Sequence, residues 1–168
     1  MTTLYHSVDS PLGRLLLVGE SSDTAKGGTA LVSLSLPGQK GAAVVQDGWR
    51  CDPAAFQEIG GQLSLYFAGR LTRFEIEFAE SGTDFQRRVW QALEDVPYGG
   101  TVTYKEIAER VGTSAVGVRA VGTAIGRNPL LVVRPCHRVI GTDGALRGYA
   151  GGLRSKEHLL GLEGALTS

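Results

Sequence analysis

The apolar and polar positions in the first third of the chain favour strands. Residues 15–18 (LLLV) form a short apolar run, and residues 30–36 (ALVSLSL) alternate apolar with small polar side chains. Turn residues bound both: Pro11-Leu12-Gly13, Gly27-Gly28 and Pro37-Gly38. A helix follows, with Asp52 as N-cap, Pro53 at the first helical position and Gly69 just past the end. Phe56, Ile59, Leu63 and Phe67 recur at helical spacing and give it a buried face. Residues 74–78 (FEIEF) alternate strictly, which predicts a half-buried strand.

The second half reads differently. Thr83-Asp84-Phe85-Gln86 is a capping box that opens a helix to about Leu93, and Pro97-Tyr98-Gly99-Gly100 ends that segment. Thr103-Tyr104-Lys105-Glu106 is a second capping box, whose helix stops at Gly112, and a third helix runs from about Ser114 to Ile125. Two short helices joined by a tight glycine-containing turn predict a helix-turn-helix. Residues 130–133 (LLVV) predict an apolar strand leading to Cys136, and a last helix spans about 153–162. The expected fold class is α/β: a small N-terminal strand-rich α/β lobe, residues 1–82, and a C-terminal lobe with a helix-turn-helix, residues 83–168. The first lobe carries no chemistry and reads as a scaffold or docking surface.

Composition narrows the class. A chain of 168 residues can bury one good core or two small lobes, and its apolar and charged content is near the globular average. No run approaches the roughly 18 apolar residues of a membrane span, and MTTLYHSVDS lacks the pattern of a signal peptide. The expectation is a cytoplasmic protein with no membrane partner. Two cysteines, Cys51 and Cys136, are too few for a disulfide scaffold, and the histidines His6, His137 and His158 have no metal-ligand spacing. Neither metal nor cofactor is expected. Net charge is zero but uneven: residues 1–84 hold 6 Lys/Arg against 10 Asp/Glu, and residues 85–168 hold 11 against 7. Between 119 and 156 seven cations face Asp143 alone. Such a basic half suits a polyanion.

The third helix has glycines at 117 and 122, no Asn, Gln or Lys to read base edges, and Arg119 as its sole charge. Two readings stand side by side. It is a core helix whose glycines permit close packing, or it lies against a minor groove, where small residues let the backbone approach and one cation enters the base stack. Cys136 is equally double-edged. A cysteine on a buried strand is ordinarily inert, but His137 is adjacent and Arg134 and Arg138 bracket it, which favours a thiolate nucleophile. On a strand, adjacent side chains point to opposite faces, so His137 would reach Cys136 through water or a chain break at Pro135. Glu163 sits at the end of the last helix, where a carboxylate opposes the helix dipole unless a cation, such as an imidazolium at His137, offsets it.

The string PCHRVIG, preceded by RAVGTAIGRNP and followed by GYAGGL, closely resembles the 6-O-alkylguanine-DNA alkyltransferases, or methylated-DNA–protein-cysteine methyltransferases. The resemblance is nearly continuous over residues 83–164 and loose over 1–82, through Ser10-Pro11-Leu12-Gly13. It implies direct repair of double-stranded DNA, with the alkyl group of 6-O-alkylguanine, and of 4-O-alkylthymine, moved to Cys136. His137 then acts as base through water, Glu163 orients it, and Asn128 is a hinge between recognition helix and active-site segment. Tyr104 assists nucleotide flipping and donates a proton to the leaving guanine. Arg119 fills the space left by the flipped nucleotide, with Ala120, Gly122, Thr123 and Arg127 also on the DNA. Val139, Tyr149 and Ala150 line the pocket beside Ile125 and Lys156. The implied partner is met in the minor groove with little sequence preference, by a monomer able to cluster on DNA. A thioether does not hydrolyse, so each molecule would act once, and the base must leave the stack to reach the cysteine. The chain departs from the family in a segment 112–119 one residue longer than usual, and in Ala150 where many relatives have serine. Competing classes are a Cys-His hydrolase or thiol transferase, which would turn over, and a non-catalytic lesion sensor, which would carry another residue at position 136.

Overall fold

The computed structural model describes residues 2–113 and 117–166, in two compact units, Met1–Glu80 and Ser81–Ser168. In the first unit, β1 (Leu4–Ser10), β2 (Gly13–Ser21), β3 (Thr29–Ser35) and β4 (Arg50–Cys51) form a sheet of order β3-β2-β1-β4. β1 pairs with β2, and β2 with β3, antiparallel; β4 joins β1 in parallel. The two apolar runs fall in β2 and β3, whose Leu15, Leu17, Leu31 and Leu34 are fully buried. β1 has no clean alternation, and only its Leu4 is buried; it is held by backbone pairing on both sides. Gly19 sits where the β2–β3 register shifts, and a Cβ there would lie 2.8 Å from the Ala30 carbonyl.

Asp52 caps a 3-10 turn, Pro53–Phe56, by accepting from the Ala55 amide, and α1 (Gln57–Phe67) continues it. Its inner face is Ile59, Gln62, Leu63 and Tyr66; Phe67, expected inside, is half-buried because Tyr66 takes that place. Residues 74–78 are not a ladder strand. The Gln62 amide takes the place of a pairing strand, donating to the Glu75 carbonyl at 3.0 Å and accepting from its N–H at 2.8 Å. Among the described residues, a bridge between Phe78 and Leu31 joins the segment to the sheet. Alternation signals a half-buried extended chain but does not specify what satisfies its backbone.

In the second unit, both capping boxes form, opening α2 (Asp84–Glu94) and α3 (Tyr104–Arg110). α4 (Gly117–Gly126) packs on α2 and α3. The expected helix start at Ser114 and the extra residue between 112 and 119 lie in or across 114–116, outside the described residues. β5 (Val102–Thr103) and β6 (Val139–Ile140) make a parallel two-stranded ribbon, and α5 spans Leu153–Leu162. The ribbon ties the start of α3 to the chain just beyond Cys136.

The expected strand at 130–133 is a tight, buried turn. The Val133 N–H donates to Leu131 O at 2.8 Å and the Arg134 N–H to Leu130 O at 3.0 Å. Val132 has φ 70°, in a region that β-branched residues avoid. An apolar run says only that it is buried; here its backbone bonds fold back on themselves. Cys136–Arg138 is a 3-10 turn, which removes the two-faced strand geometry between Cys136 and His137.

Candidate functional site

The site is assembled around Cys136, which is 4% exposed. The side chain of Asn128, just past α4, is its scaffold. Asn128 Oδ1 accepts from the Leu130 N–H at 3.0 Å, while Nδ2 donates to Leu130 O, to Arg134 O and, at 3.2 Å, to Cys136 Sγ. One buried amide thus supplies the turn with the partners that a strand would have found in a sheet, and it touches the sulfur.

α5 meets the other side. Lys156 and Glu163 are seven residues apart, nearly two turns, so both face inward. Glu163 Oε2 lies 2.8 Å from His137 Nε2, and the carboxylate is forked onto Arg138, from Nε at 2.7 Å and Nη2 at 2.9 Å. Arg138 Nη1 donates to Val96 O at 2.6 Å, and the guanidinium lies against the Tyr98 ring. The cation that offsets Glu163 at its helix end is therefore Arg138, rather than the imidazolium expected from sequence. Burial holds His137 below the usual histidine range against the upward pull of Glu163, so the imidazole is neutral near pH 7. With Nε2 on the carboxylate, its buried Nδ1 has no hydrogen-bond partner among the described protein atoms.

Lys156 is fully buried and donates to Val139 O at 2.6 Å, Gly148 O at 3.3 Å and Arg147 O at 3.4 Å. It thereby fastens the loop before Tyr149 to β6. Burial lowers it to about 8. Its ammonium is 6.0 Å from the centroid of the Tyr104 ring, which opens α3, and burial raises the Tyr104 hydroxyl above the usual tyrosine range. Burial pushes the Cys136 thiol up to about 11; the Asn128 hydrogen bond and the charges of Lys156 and Arg134 pull it back.

The structure thus brings Cys136, His137, Glu163, Asn128, Tyr104, Lys156 and Val139 into one cluster. Arg119, Ala120, Thr123 and Arg127 are elsewhere, exposed on or just past α4. Gly122 is half-exposed and a Cβ there would make only an ordinary contact with Tyr104, whereas at Gly117 it would collide with Thr113. Close packing accounts for Gly117 and not for Gly122. Ile125 is buried, and Tyr149 and Ala150 are half-buried in the loop before α5. Sequence reasoning missed the double role of Arg138, which it placed beside the thiol, and missed Val96 and Tyr98 altogether. The only local signal was the adjacency of Arg138 to His137.

Two family models match the chain: "6-O-methylguanine DNA methyltransferase, DNA binding domain" over residues 84–165, and "6-O-methylguanine DNA methyltransferase, ribonuclease-like domain" over residues 3–79. Methylated-DNA–protein-cysteine methyltransferase of Mycolicibacterium paratuberculosis is 47% identical over 95% of this chain and 91% of its own. The protein of that name from Methanosarcina acetivorans is 44% identical over 96% and 99%. Among solved structures, Mycobacterium tuberculosis OGT in complex with DNA superposes with a TM-score of 0.85 at 44% identity, over 96% of this chain and 93% of that one.

Proposed function

Since the chain belongs to the 6-O-methylguanine-DNA methyltransferase family, we propose that it repairs alkylated guanine in duplex DNA by moving the alkyl group irreversibly onto Cys136. The observation that carries this is a buried sulfur held by an amide donor beside a neutral, carboxylate-anchored imidazole. His137 Nδ1 takes the thiol proton through water, while Glu163 keeps Nε2 protonated and the ring in place. The thiolate attacks the alkyl carbon in line. A C–S bond forms, the C–O bond breaks, and its electron pair passes into the guanine ring, which gains a proton from the Tyr104 hydroxyl or water. The same chemistry extends to 4-O-alkylthymine. Val139, Tyr149, Ala150, Ile125 and Lys156 frame the base.

DNA lies on the exposed face of α4, where Arg119, Ala120, Gly122, Thr123 and Arg127 meet the minor groove. Few of these can read bases, so sequence preference is weak. The protein acts as a monomer that can cluster along DNA. The family's nucleophile is present at Cys136, which sets the sensor reading aside.

Intact mass after mixing with a duplex containing 6-O-methylguanine tests the proposal. One methyl gained, located on Cys136, is the expected result; unmodified protein with continuing turnover would mean a hydrolase. Arg119 has its own test. Holding a base out of the stack takes a few kcal/mol, so Arg119→Ala slows repair of a duplex by about tenfold or more. Reaction with free 6-O-benzylguanine, which needs no flipping, stays within about twofold of the parent protein. Equal losses on both substrates would place Arg119 in the fold or the pocket instead.

A further inference from the structure

Arg134 is used by nothing described so far except its pull on the thiol, yet it is 7% exposed. Its guanidinium lies over the Trp90 ring, 4.9 Å from the centroid, and Nε is 3.4 Å from Glu94 Oε2. Trp90 and Glu94 are four apart on α2 and so share a face. Trp90 is itself pinned, its indole N–H donating to Ala124 O at 2.9 Å. On its far side Arg134 Nη1 donates to Asn128 Oδ1 at 3.2 Å, the same amide whose Nδ2 donates to Cys136 Sγ. Rotating that amide by half a turn would set its NH2 against the guanidinium, donor against donor, and its oxygen against the sulfur. The guanidinium thus joins the Leu130 N–H and the Leu130 and Arg134 carbonyls in excluding the orientation that would repel a thiolate.

We propose that Arg134 is a positioning residue for alkyl transfer: it fixes the Asn128 amide with its NH2 on Cys136 Sγ and brings a positive charge to the nucleophile, which Glu94 on α2 tempers. The proposal rests on the alkyltransferase reading for its reaction, and on geometry for the rest. The pair has a property that a merely structural contact lacks: its two members act in opposite directions. Removing Arg134 takes away the favourable charge. Removing the charge of Glu94 frees Arg134 to act more strongly on the thiol. The other groups facing Cys136 are Lys156 from α5, Tyr104 from α3, and His137 with Glu163 and Arg138 behind it. All remain in place in both variants.

The test is made in a Cys51→Ser background, so that Cys136 is the only thiol. Thiolate absorbance is titrated against pH, and the rate with free 6-O-benzylguanine is measured over the same range. Arg134→Met raises the thiol midpoint by about one unit and slows the reaction about tenfold at neutral pH. Glu94→Gln lowers the midpoint by a few tenths and quickens the reaction about twofold. Arg134→Lys, which keeps the charge, recovers most of the shift. If both variants slow the reaction and neither moves the midpoint, or if Glu94→Gln raises it, the inference is wrong. Should Arg134→Met fail to fold, Glu94→Gln, a change at a partly exposed side chain, decides the matter alone. A parent protein that takes no benzyl group would sink the alkyltransferase reading, while the thiolate titration would still judge the Arg134–Glu94 pair.

Discussion

Cys136→Ser takes up no methyl from 6-O-methylguanine yet still binds duplex DNA. A hydroxyl at this position remains protonated at any pH the fold tolerates, and Asn128 and His137 cannot supply the ionisation that a thiol achieves. The exchange is nearly isosteric, and serine can still accept from Asn128 Nδ2, so the buried turn keeps its partners. The surface proposed for binding is a different one, the exposed face of α4 with Arg119 and Arg127. Affinity measured by fluorescence anisotropy therefore stays within about twofold of the parent and falls steeply as salt rises, because phosphate contacts dominate. Methyl appearing on the serine variant by intact mass would remove Cys136 as acceptor. Loss of DNA binding along with transfer would show that the sulfur and the α4 face are not separable.

Arg138→Met destabilises the protein by about 3–5 kcal/mol, read from urea unfolding, the usual effect of stripping a buried carboxylate of its cation. Glu163 then keeps His137 at 2.8 Å but loses its guanidinium partner. The imidazole, now held low by burial and by the Arg138 charge, is released from that charge and becomes a counter-ion for the carboxylate. Its proton affinity rises, so a larger share is cationic at neutral pH and unable to accept the thiol proton. The rate with 6-O-benzylguanine drops at neutral pH and recovers in part under alkaline conditions. The double variant Arg138→Met/Glu163→Gln, which buries no net charge, regains much of the lost stability but not the rate. A single variant with near-parent stability would mean that solvent reaches Glu163. A rate that falls equally at all pH values would leave Arg138 a structural role and nothing more.

Elements that announce themselves through local chemistry were legible in the sequence. Thr83 and Thr103 each have their partner three residues on, so α2 and α3 start where the capping boxes place them. Asp52, Pro53 and Gly69 bracket α1 in the same way. The reading failed where a polar side chain replaces a strand. Gln62 satisfies residue 75, and Asn128 satisfies the turn at 130–134, and neither substitution leaves a periodic trace. The grouping of the site was legible because its members lie close in sequence or at a helix end: Asn128, Cys136, His137 and Glu163, which the structure brings together. The supporting cations were not, because Arg138 reaches Val96 and Arg134 reaches Trp90 and Glu94 across some forty residues of chain. Composition could show that arginines were abundant here, but not which carboxylate each would meet.

Lys156 and Cys136 together decide how many protons the site holds before reaction. With the amine lowered to about 8 and the thiol raised to about 11, the pair between those values keeps a single dissociable proton. That proton can sit on sulfur, leaving both groups neutral, or on nitrogen, giving thiolate beside ammonium. The two arrangements are tautomers, so their ratio does not change with pH. Below about 8 a second proton binds, and the thiolate tautomer declines tenfold for each unit of acidification. Lys156 therefore adds a step near 8 to the pH–rate profile for free 6-O-benzylguanine, beside that of the His137 base. An inflection that a kineticist would assign to the cysteine alone then carries the lysine as well.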